Sequence, residues 1–475
     1  MTDPRRTAAI VLAAGTGSRY AAADEASTPG GKLLAELDGR PLLERVLAAV
    51  RAIGPAETVV VLGHDAPIVE AAVDWAGELR VRNPRPEDGL ASSLRVGFEA
   101  LGPGVDAAFV ILGDQPMVDP AVLRALLATE TRAGVDFVVP RYVGGGGGNP
   151  VLVLRSGFAT VAAATGDRGL GPLLAAAPER VATVELGGSN PDVDTPADLA
   201  ELAWGERVRA NRDQVDRQRE VPDGPDFYGP VTGLFRADPH RTDEPILEAL
   251  LALARPGDTW LDIGAGAGRY ALPLALRVAE VVAVEPSDGM RAALAELQVE
   301  HGIPNVRAIA DRWPPAPDGP AAGIRADASL IAHISYDIEA IGPFLDAMEA
   351  ATVRICVAVL MERQPSSLAD PFWPPIHGEE RVALPALPEF VALLRARGSR
   401  PHVTDFERPP RGFETFDELH GFIRRQLWLT EDGPKDRRLD ELIRGRAIER
   451  DSRWSLESRP MTTGLVTWTP TTTAR

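Results

Sequence analysis

The chain has 475 residues, enough for two domains or more, and the apolar content of a soluble globular protein. A net charge of −18 argues against nucleic acid as a general partner, since that role needs a basic face. One cysteine, Cys356 in the apolar run Arg354–Leu360, excludes an internal disulfide and a cysteine-built zinc site, and no apolar run reaches the roughly 18 residues of a membrane span. Small-molecule partners and no membrane are therefore expected. Met1–Arg6 leads into a run ending in Gly15 rather than a cleavage site, so a cytoplasmic location is expected.

Thr7–Ala14 is short and apolar and predicts a buried strand of a parallel sheet. It breaks into Gly15-Thr-Gly17-Ser18-Arg19, where two glycines let the backbone approach an anion and direct N–H groups at phosphate oxygens. Arg19 adds a fork of donors and Lys32 a point charge. The chain holds only two lysines, Lys32 and Lys435, so an arginine-favouring composition spared position 32. That points to a phosphate-binding lysine in a nucleotide loop.

Pro41–Ile53 predicts a helix with Pro41 in its first turn, followed by a strand at Thr58–Leu62, a helix at Pro67–Ala76 and a short strand at Leu79–Arg82. The prolines of Asn83–Gly89 make a loop, and Leu90–Leu101 returns to helix with Ser92 at its start. Ala107–Leu112 predicts a strand ending in Gly113-Asp114-Gln115-Pro116. Ligands of open α/β sheets sit outside the carboxyl ends of the strands, and Mg²⁺ takes one or two carboxylates plus substrate phosphates, so Asp114 is a metal candidate. Asp119 is better placed to cap the helix from Pro120. The glycine run Val143–Pro150 precedes a strand at Val151–Leu154 and suits either a closing loop or a plain hairpin. Asp194, in Asp192-Val-Asp194-Thr195-Pro196, is either a second metal carboxylate or a capping aspartate for the helix Pro196–Ala203.

Taken together, Leu12-Ala-Ala-Gly-Thr-Gly-Ser-Arg19, Lys32-Leu-Leu, Gly39-Arg-Pro-Leu-Leu, Gly89-Leu-Ala-Ser-Ser-Leu, Leu112-Gly-Asp-Gln-Pro116, Gly148-Asn-Pro150, Gly166-Asp167 and Asp192–Pro196 resemble the MobA-like nucleotidyltransferases. The nearest branch is the molybdenum cofactor cytidylyltransferases. The resemblance covers nearly all of residues 7–203. It implies a Rossmann-like fold and Mg²⁺-dependent transfer of a nucleotidyl group from an NTP to a phosphorylated acceptor such as molybdopterin. By it, Leu12, Ala13, Ala14, Gly15, Gly17, Lys32 and Ser92 hold the nucleotide and Asn83 approaches base or ribose. Asp114 and Asp194 hold the metal, and Lys32, Arg19 and Asp114 are catalytic. Leu-Ala-Ala-Gly resembles the CTP users more than the GTP users. Two departures stand out: Tyr20 replaces a glycine of the family, and Ala21–Gly31 is longer than its usual loop.

Trp204–Val221 is dense in charge and predicts a solvated helix or linker ending at Pro222-Asp-Gly-Pro225. Beyond it, Thr259-Trp-Leu-Asp262-Ile-Gly264-Ala-Gly266-Ala-Gly268 predicts a strand and a glycine loop, and Val281–Val284 the next strand, ending in Glu285. An acid there suits a ribose diol. A dinucleotide site wants Gly-x-Gly-x-x-Gly, and from Gly264 the last place holds Arg269, which disfavours a nicotinamide-dependent oxidoreductase. The spacing Asp-x-Gly-x-Gly-x-Gly resembles motif I of the class I S-adenosylmethionine-dependent methyltransferases. That resemblance covers about residues 227–361. It implies cofactor contacts at Asp262, Gly264, Gly266, Gly268, Glu285 and, on the adenine side, Asp311.

His333 and Tyr336 follow the fourth strand, where either can orient an acceptor or act as a base, or be structural. The tryptophans of 363–468 are expected in a core. Thr471–Arg475 is expected to be a disordered tail. The expected architecture is α/β: two Rossmann-like three-layer domains, each a mostly parallel sheet flanked by helices, at 1–205 and 227–475, with a charged linker at 206–226. The expected cofactors are Mg²⁺ and S-adenosyl-L-methionine, with an NTP, CTP favoured, as substrate. Another NTP or acceptor, or an N-terminal domain that only binds nucleotide, stays open.

Overall fold

The computed structural model describes residues 2–15, 17–23, 30–145, 147–222, 232–233, 235–450, 452–456 and 460–471. The insertion 21–31, the glycine run 143–150, the turn 222–225 and the tail 471–475 therefore lie partly outside the described residues. The chain divides into two compact units, Met1–Leu199 and Ala200–Arg475.

The first unit carries β1 (Thr7–Ala13), β2 (Glu36–Leu37), β3 (Arg40–Pro41), β4 (Glu57–Leu62), β5 (Leu79–Arg82), β6 (Ala107–Leu112), β7 (Phe137–Tyr142), β8 (Val151–Leu154) and β9 (Val181–Leu186). Its seven-stranded sheet has the order β5-β4-β1-β6-β8-β7-β9. β1 runs parallel to β4 and β6, and only β8 opposes its neighbours. Every residue of β1 is buried, as expected of a central parallel strand covered on both faces. Successive side chains point to opposite faces. Ala9, Val11 and Ala13 join one core with Val46, Leu47 and Leu123, while Ala8, Ile10 and Leu12 join the other with Leu94 and Val161. The helices Leu42–Arg51 and Pro120–Ala128 thus cover one face, and Leu90–Glu99 the other. Asp119 caps as expected, its carboxylate accepting from Ala121 N at 2.7 Å.

The second unit carries β10 (Thr259–Ile263), β11 (Glu280–Val284), β12 (Val306–Ile309), β13 (Ala326–Ala332), β14 (Thr352–Met361), β15 (His402–Arg408), β16 (Ile448–Arg450), β17 (Arg453–Ser455) and β18 (Met461–Trp468). Its main sheet has the order β12-β11-β10-β13-β14-β18-β15, with β18 antiparallel to both neighbours. Cys356 lies in β14, fully buried and free. A separate core gathers Trp373, Phe372, Leu419, Ile423, Leu439 and Ile443. Trp373 is therefore core, as the tryptophans were expected to be. No helix among the described residues is long and apolar enough to cross a membrane.

The expected linker differs from what is found. The helix over Pro196–Gln218 does not end near Ala203, and its residues from Ala200 on belong to the second unit. Trp204, Val208, Asn211 and Val215 form a buried stripe at helical spacing. Its polar members are satisfied: Asn211 Nδ2 donates to Val382 O, and Gln214 donates to Glu380 O at 2.7 Å and accepts from Val382 N at 2.8 Å. Side chains that read as solvated in sequence are here hydrogen-bonded to the backbone of the distant segment 380–382.

Candidate functional site

In the first unit, β1 and β6 end side by side, with Gly113 N donating to Leu12 O at 2.9 Å. This brings the glycine loop after Ala13 next to Asp114. Gly17 adopts φ +57°, and a Cβ there would lie 3.7 Å from Lys32 Cγ. Lys32 sits on a 3-10 turn, Gly31–Leu34, whose Leu33 is anchored in the core. Its ammonium pairs with Asp114 Oδ2 and, at 2.9 Å, with Asp194 Oδ1. Arg19 pairs with Asp194 Oδ2 at 2.9 Å. Four residues proposed from sequence thus meet at one place, over 162 positions of chain between Lys32 and Asp194.

Burial of the Lys32 ammonium works to lower its pKa. The carboxylates of Asp114 and Asp194 outweigh that and hold it above the ordinary lysine value, so it is charged at neutral pH. Asp192, within the same motif, has its pKa raised, first by burial and then by Asp114, although Gln115 Nε2 donates to it at 2.7 Å. Sequence reasoning had read Asp192 only as part of a cap. A cleft beside the loop is lined by Gly15, Gly17, Gly31, Lys32, Gly63 and His64. Gly63 was also missed. A Cβ there would stand 2.7 Å from Ala14 O, so glycine lets β4 approach the loop.

The capping reading of Asp194 is corrected. Thr195 is the cap: its Oγ1 accepts from Asp198 N at 3.1 Å, while Asp198 Oδ2 accepts from Thr195 N at 2.8 Å and Asp194 N at 3.0 Å. With the backbone donors satisfied this way, the Asp194 carboxylate faces Lys32 and Arg19. Asn83 and Ser92 are also brought together, but with each other. Asn83 Nδ2 donates to Ser92 Oγ at 2.7 Å and Ser93 Oγ at 2.9 Å, and Asn83 Oδ1 accepts from Arg85 N at 3.0 Å. These bonds pin the 83–89 loop and make buried Asn83 a brace of its shape.

No group of three or more His, Cys, Asp or Glu placed to hold a metal occurs among the described residues. Asp114 and Asp194 are nonetheless two oxygen donors bridged by one ammonium, a donor set that suits a hard divalent cation shared with phosphates.

In the second unit the loop after β10 folds back on β11. Gly264 N donates to Val284 O at 2.8 Å, and Glu285 accepts from Gly266 N and Ser287 N, each at 2.8 Å. Gly264 and Gly268 have φ of +72° and +84°. A Cβ on Gly268 would lie 2.4 Å from Leu294 Cδ1, so the third glycine serves helix packing. Asp262 is buried, and burial first, then the charge of Glu285, push its carboxyl up to about 7. The Asp311 carboxylate accepts from Arg312 N and Ala321 N at 2.8 and 2.9 Å. It therefore braces its own loop.

Tyr336 is buried, and its hydroxyl accepts from Met361 N at 2.8 Å; burial raises its pKa. The acid–base reading of Tyr336 gives way to a structural one. His333 differs. Its Nδ1 is buried without a hydrogen-bond partner among the described residues, and burial first, then Arg408 and Arg269, hold its pKa down to about 4. His333 and Ser335 both adopt positive φ, +57° and +87°. They bracket Ile334, whose side chain lies 3.0 Å from the place a Gly264 Cβ would take. Such strain is held where the surroundings over-determine the backbone, typically beside a site.

Residues 9–181 match the family model of the MobA-like NTP transferase domain. The bifunctional protein GlmU of Streptomyces coelicolor is 38% identical over 136 residues, which are 28% of this chain and 27% of that protein. The chain thus spans about a quarter of the length of such curated relatives. Among solved structures, Rv0371c from Mycobacterium tuberculosis H37Rv is 29% identical, with 42% of this chain and 99% of that chain covered and a TM-score of 0.36. A putative methyltransferase from Bacillus halodurans C-125 is 15% identical, with 48% and 99% covered and a TM-score of 0.36. The match at 9–181 supports nucleotidyl transfer at the level of the family.

Proposed function

We propose that the chain carries two transferases. The first unit transfers a nucleotidyl group from an NTP, CTP by preference, to a phosphorylated acceptor such as molybdopterin. The observation that carries this reading is the meeting of Lys32, Arg19, Asp114 and Asp194 over the glycine loop. An acceptor phosphate oxygen attacks the α-phosphorus, a P–O bond forms, the α–β P–O bond breaks and pyrophosphate leaves. Lys32 and Arg19 hold the triphosphate and offset the charge of the leaving group, and loop N–H groups orient it. Asp114 and Asp194 would hold Mg²⁺, which when bound supplies further neutralisation of the phosphates. The CTP preference rests on the Leu12-Ala-Ala-Gly15 resemblance alone.

The second unit, on this reading, transfers a methyl group from S-adenosylmethionine. The carbon passes to a lone pair of the acceptor while the C–S electrons stay on sulfur. Support comes from the glycine spacing and from sheet order. The dinucleotide-binding arrangement runs 3-2-1-4-5-6. In this unit the last strand is inserted antiparallel between the fifth and sixth, which disfavours the nicotinamide alternative. Glu285, held against the glycine loop by its amides, stands at the end of β11, where an acid suits a ribose diol.

Calorimetry of the full chain with CTP, GTP and ATP plus Mg²⁺, and separately with S-adenosylmethionine, tests both halves. CTP binding that disappears in Lys32→Ala supports the first. Binding of another NTP keeps the reaction class and discards the acceptor. No nucleotide binding removes the first half, and no S-adenosylmethionine binding removes the second.

A further inference from the structure

A second cleft in the Ala200–Arg475 unit is lined by Met361, Leu368, Arg408, Arg411, Phe422 and Met461. β14 ends at Met361, β15 ends at Arg408, and antiparallel β18 begins at Met461, which pairs with Arg408. All three termini lie on the sheet edge that also carries Gly264 after β10, Glu285 after β11 and His333 after β13. Leu368 on the 3-10 segment Pro365–Phe372 and Phe422 on the helix Phe416–Gln426 supply the other wall.

The charge of this cleft is unusual for the chain. With 68 acidic residues against 50 basic, carboxylates are not scarce. Arg241, Arg269, Arg354 and Arg381 of the same unit each pair with one. Among the described residues, the only polar partner of the Arg408 side chain is the Met361 sulfur at 3.5 Å. Its charge is nevertheless felt at His333 and Tyr336. Arg411 lies over Phe422 and Phe413, 4.3 and 5.2 Å from the ring centroids, so the wall is aromatic and cationic together.

We propose that this cleft binds the methyl acceptor and selects an organic anion, with an apolar body against Met361, Leu368, Phe422 and Met461 and a carboxylate or phosphate head on Arg408. A guanidinium fork suits either head group, and an apolar pocket with a few placed charges fixes orientation as well as affinity. This deepens the methyl-transfer reading and rests on it.

The test is ligand-observed NMR and calorimetry of the full chain with saturating S-adenosylhomocysteine. The probes are benzoate, phenylacetate and phenyl phosphate, each against a neutral counterpart: benzamide, phenylacetamide and benzyl alcohol. At least one anion binds, at least tenfold more tightly than its counterpart, as a charge-assisted hydrogen bond implies. Arg408→Gln, a surface change that leaves the core intact, removes that margin, and Arg408→Lys keeps part of it. The stronger head group, carboxylate or phosphate, names the acceptor class. If no anion binds, if neutral probes bind equally well, or if Arg408→Gln keeps the margin, the proposal is wrong. S-adenosylmethionine binding, measured on the same preparation, separates the two failures. Cofactor binding without anion binding overturns this inference alone, and anion binding on Arg408 without cofactor binding overturns the methyl-transfer reading.

Discussion

Replacing Lys32 by methionine keeps the length of the side chain and removes its charge. The Lys32 side chain is 12% exposed and pairs with two aspartates whose side chains are 21% and 26% exposed. These pairs fall between surface bridges, worth about 0–1 kcal/mol, and buried ones, whose rupture costs about 3–5 kcal/mol. Asp114 and Asp194 are left facing each other, and Arg19, its side chain 77% exposed, is the cation on Asp194 among the described residues that offsets them. A loss of about 2 kcal/mol follows, which for a unit of this size lowers its melting midpoint by about 4–8 °C. The folded pKa of Lys32 is raised, so its contribution is full below the ordinary lysine value and lost only as pH rises through the folded one. The deficit is therefore flat between pH 6 and 9. On the proposed reaction, pyrophosphate release with the NTP that the parent uses falls about 100- to 1000-fold, the usual cost of one preorganised donor. Asp114→Asn in the same background relieves part of the stability deficit, and the double-mutant cycle reads that coupling. A midpoint within about 1 °C of the parent, or turnover within about threefold, refutes the reasoning.

Thr195→Val removes the cap of the helix Pro196–Gln218 and costs about 0.5–2 kcal/mol by denaturant titration, with Asp194 freed to turn toward the vacated Asp198 amide. Gly268→Ala places a Cβ against Leu294 at positive φ, so S-adenosylmethionine binding drops at least tenfold in calorimetry; unchanged affinity would contradict the packing role assigned to it. The folded pKa of Asp262 is raised to about 7, so its stabilising contribution is full below its unfolded pKa and lost as pH rises through about 7. The second unit therefore melts lower at pH 8 than at pH 5 without cofactor, and Asp262→Asn flattens that slope. His333, with its pKa near 4, gives an NMR titration with no step between pH 6 and 8; a midpoint near the ordinary histidine value would remove it as a permanently neutral base.

What sequence made legible was local. Thr7–Ala13 as a buried strand, the glycine loop, Asp114 at the end of β6 and Asp262 before its glycines follow from short patterns whose physics is contained within ten residues. Partner choice was not legible. Asn83, Asp311 and Tyr336 sit where ligand contacts were expected, yet their polar atoms bond to Ser92, Ala321 N and Met361 N. No spacing rule tells a loop brace from a ligand contact when both ask for the same side chain. The helix Pro196–Gln218 ran past its expected end for a related reason. Its stripe carries Asn211 and Gln214, and only the distant segment 380–382 makes their burial favourable. Arg408 left no mark in the sequence, because its meaning lies in its company, which among the described residues is the Met361 sulfur and no carboxylate.

The near-absence of lysine has a practical side. Among the side chains of this protein, primary amines occur at two places, Lys32 and Lys435. One sits between Asp114 and Asp194, and the other beside His377 and Glu220. Reductive methylation with ¹³C-formaldehyde would thus write two side-chain signals into the spectrum, one of them from the centre of the proposed nucleotide site. Its chemical shift would follow every change in the company that ammonium keeps, with no engineered label needed.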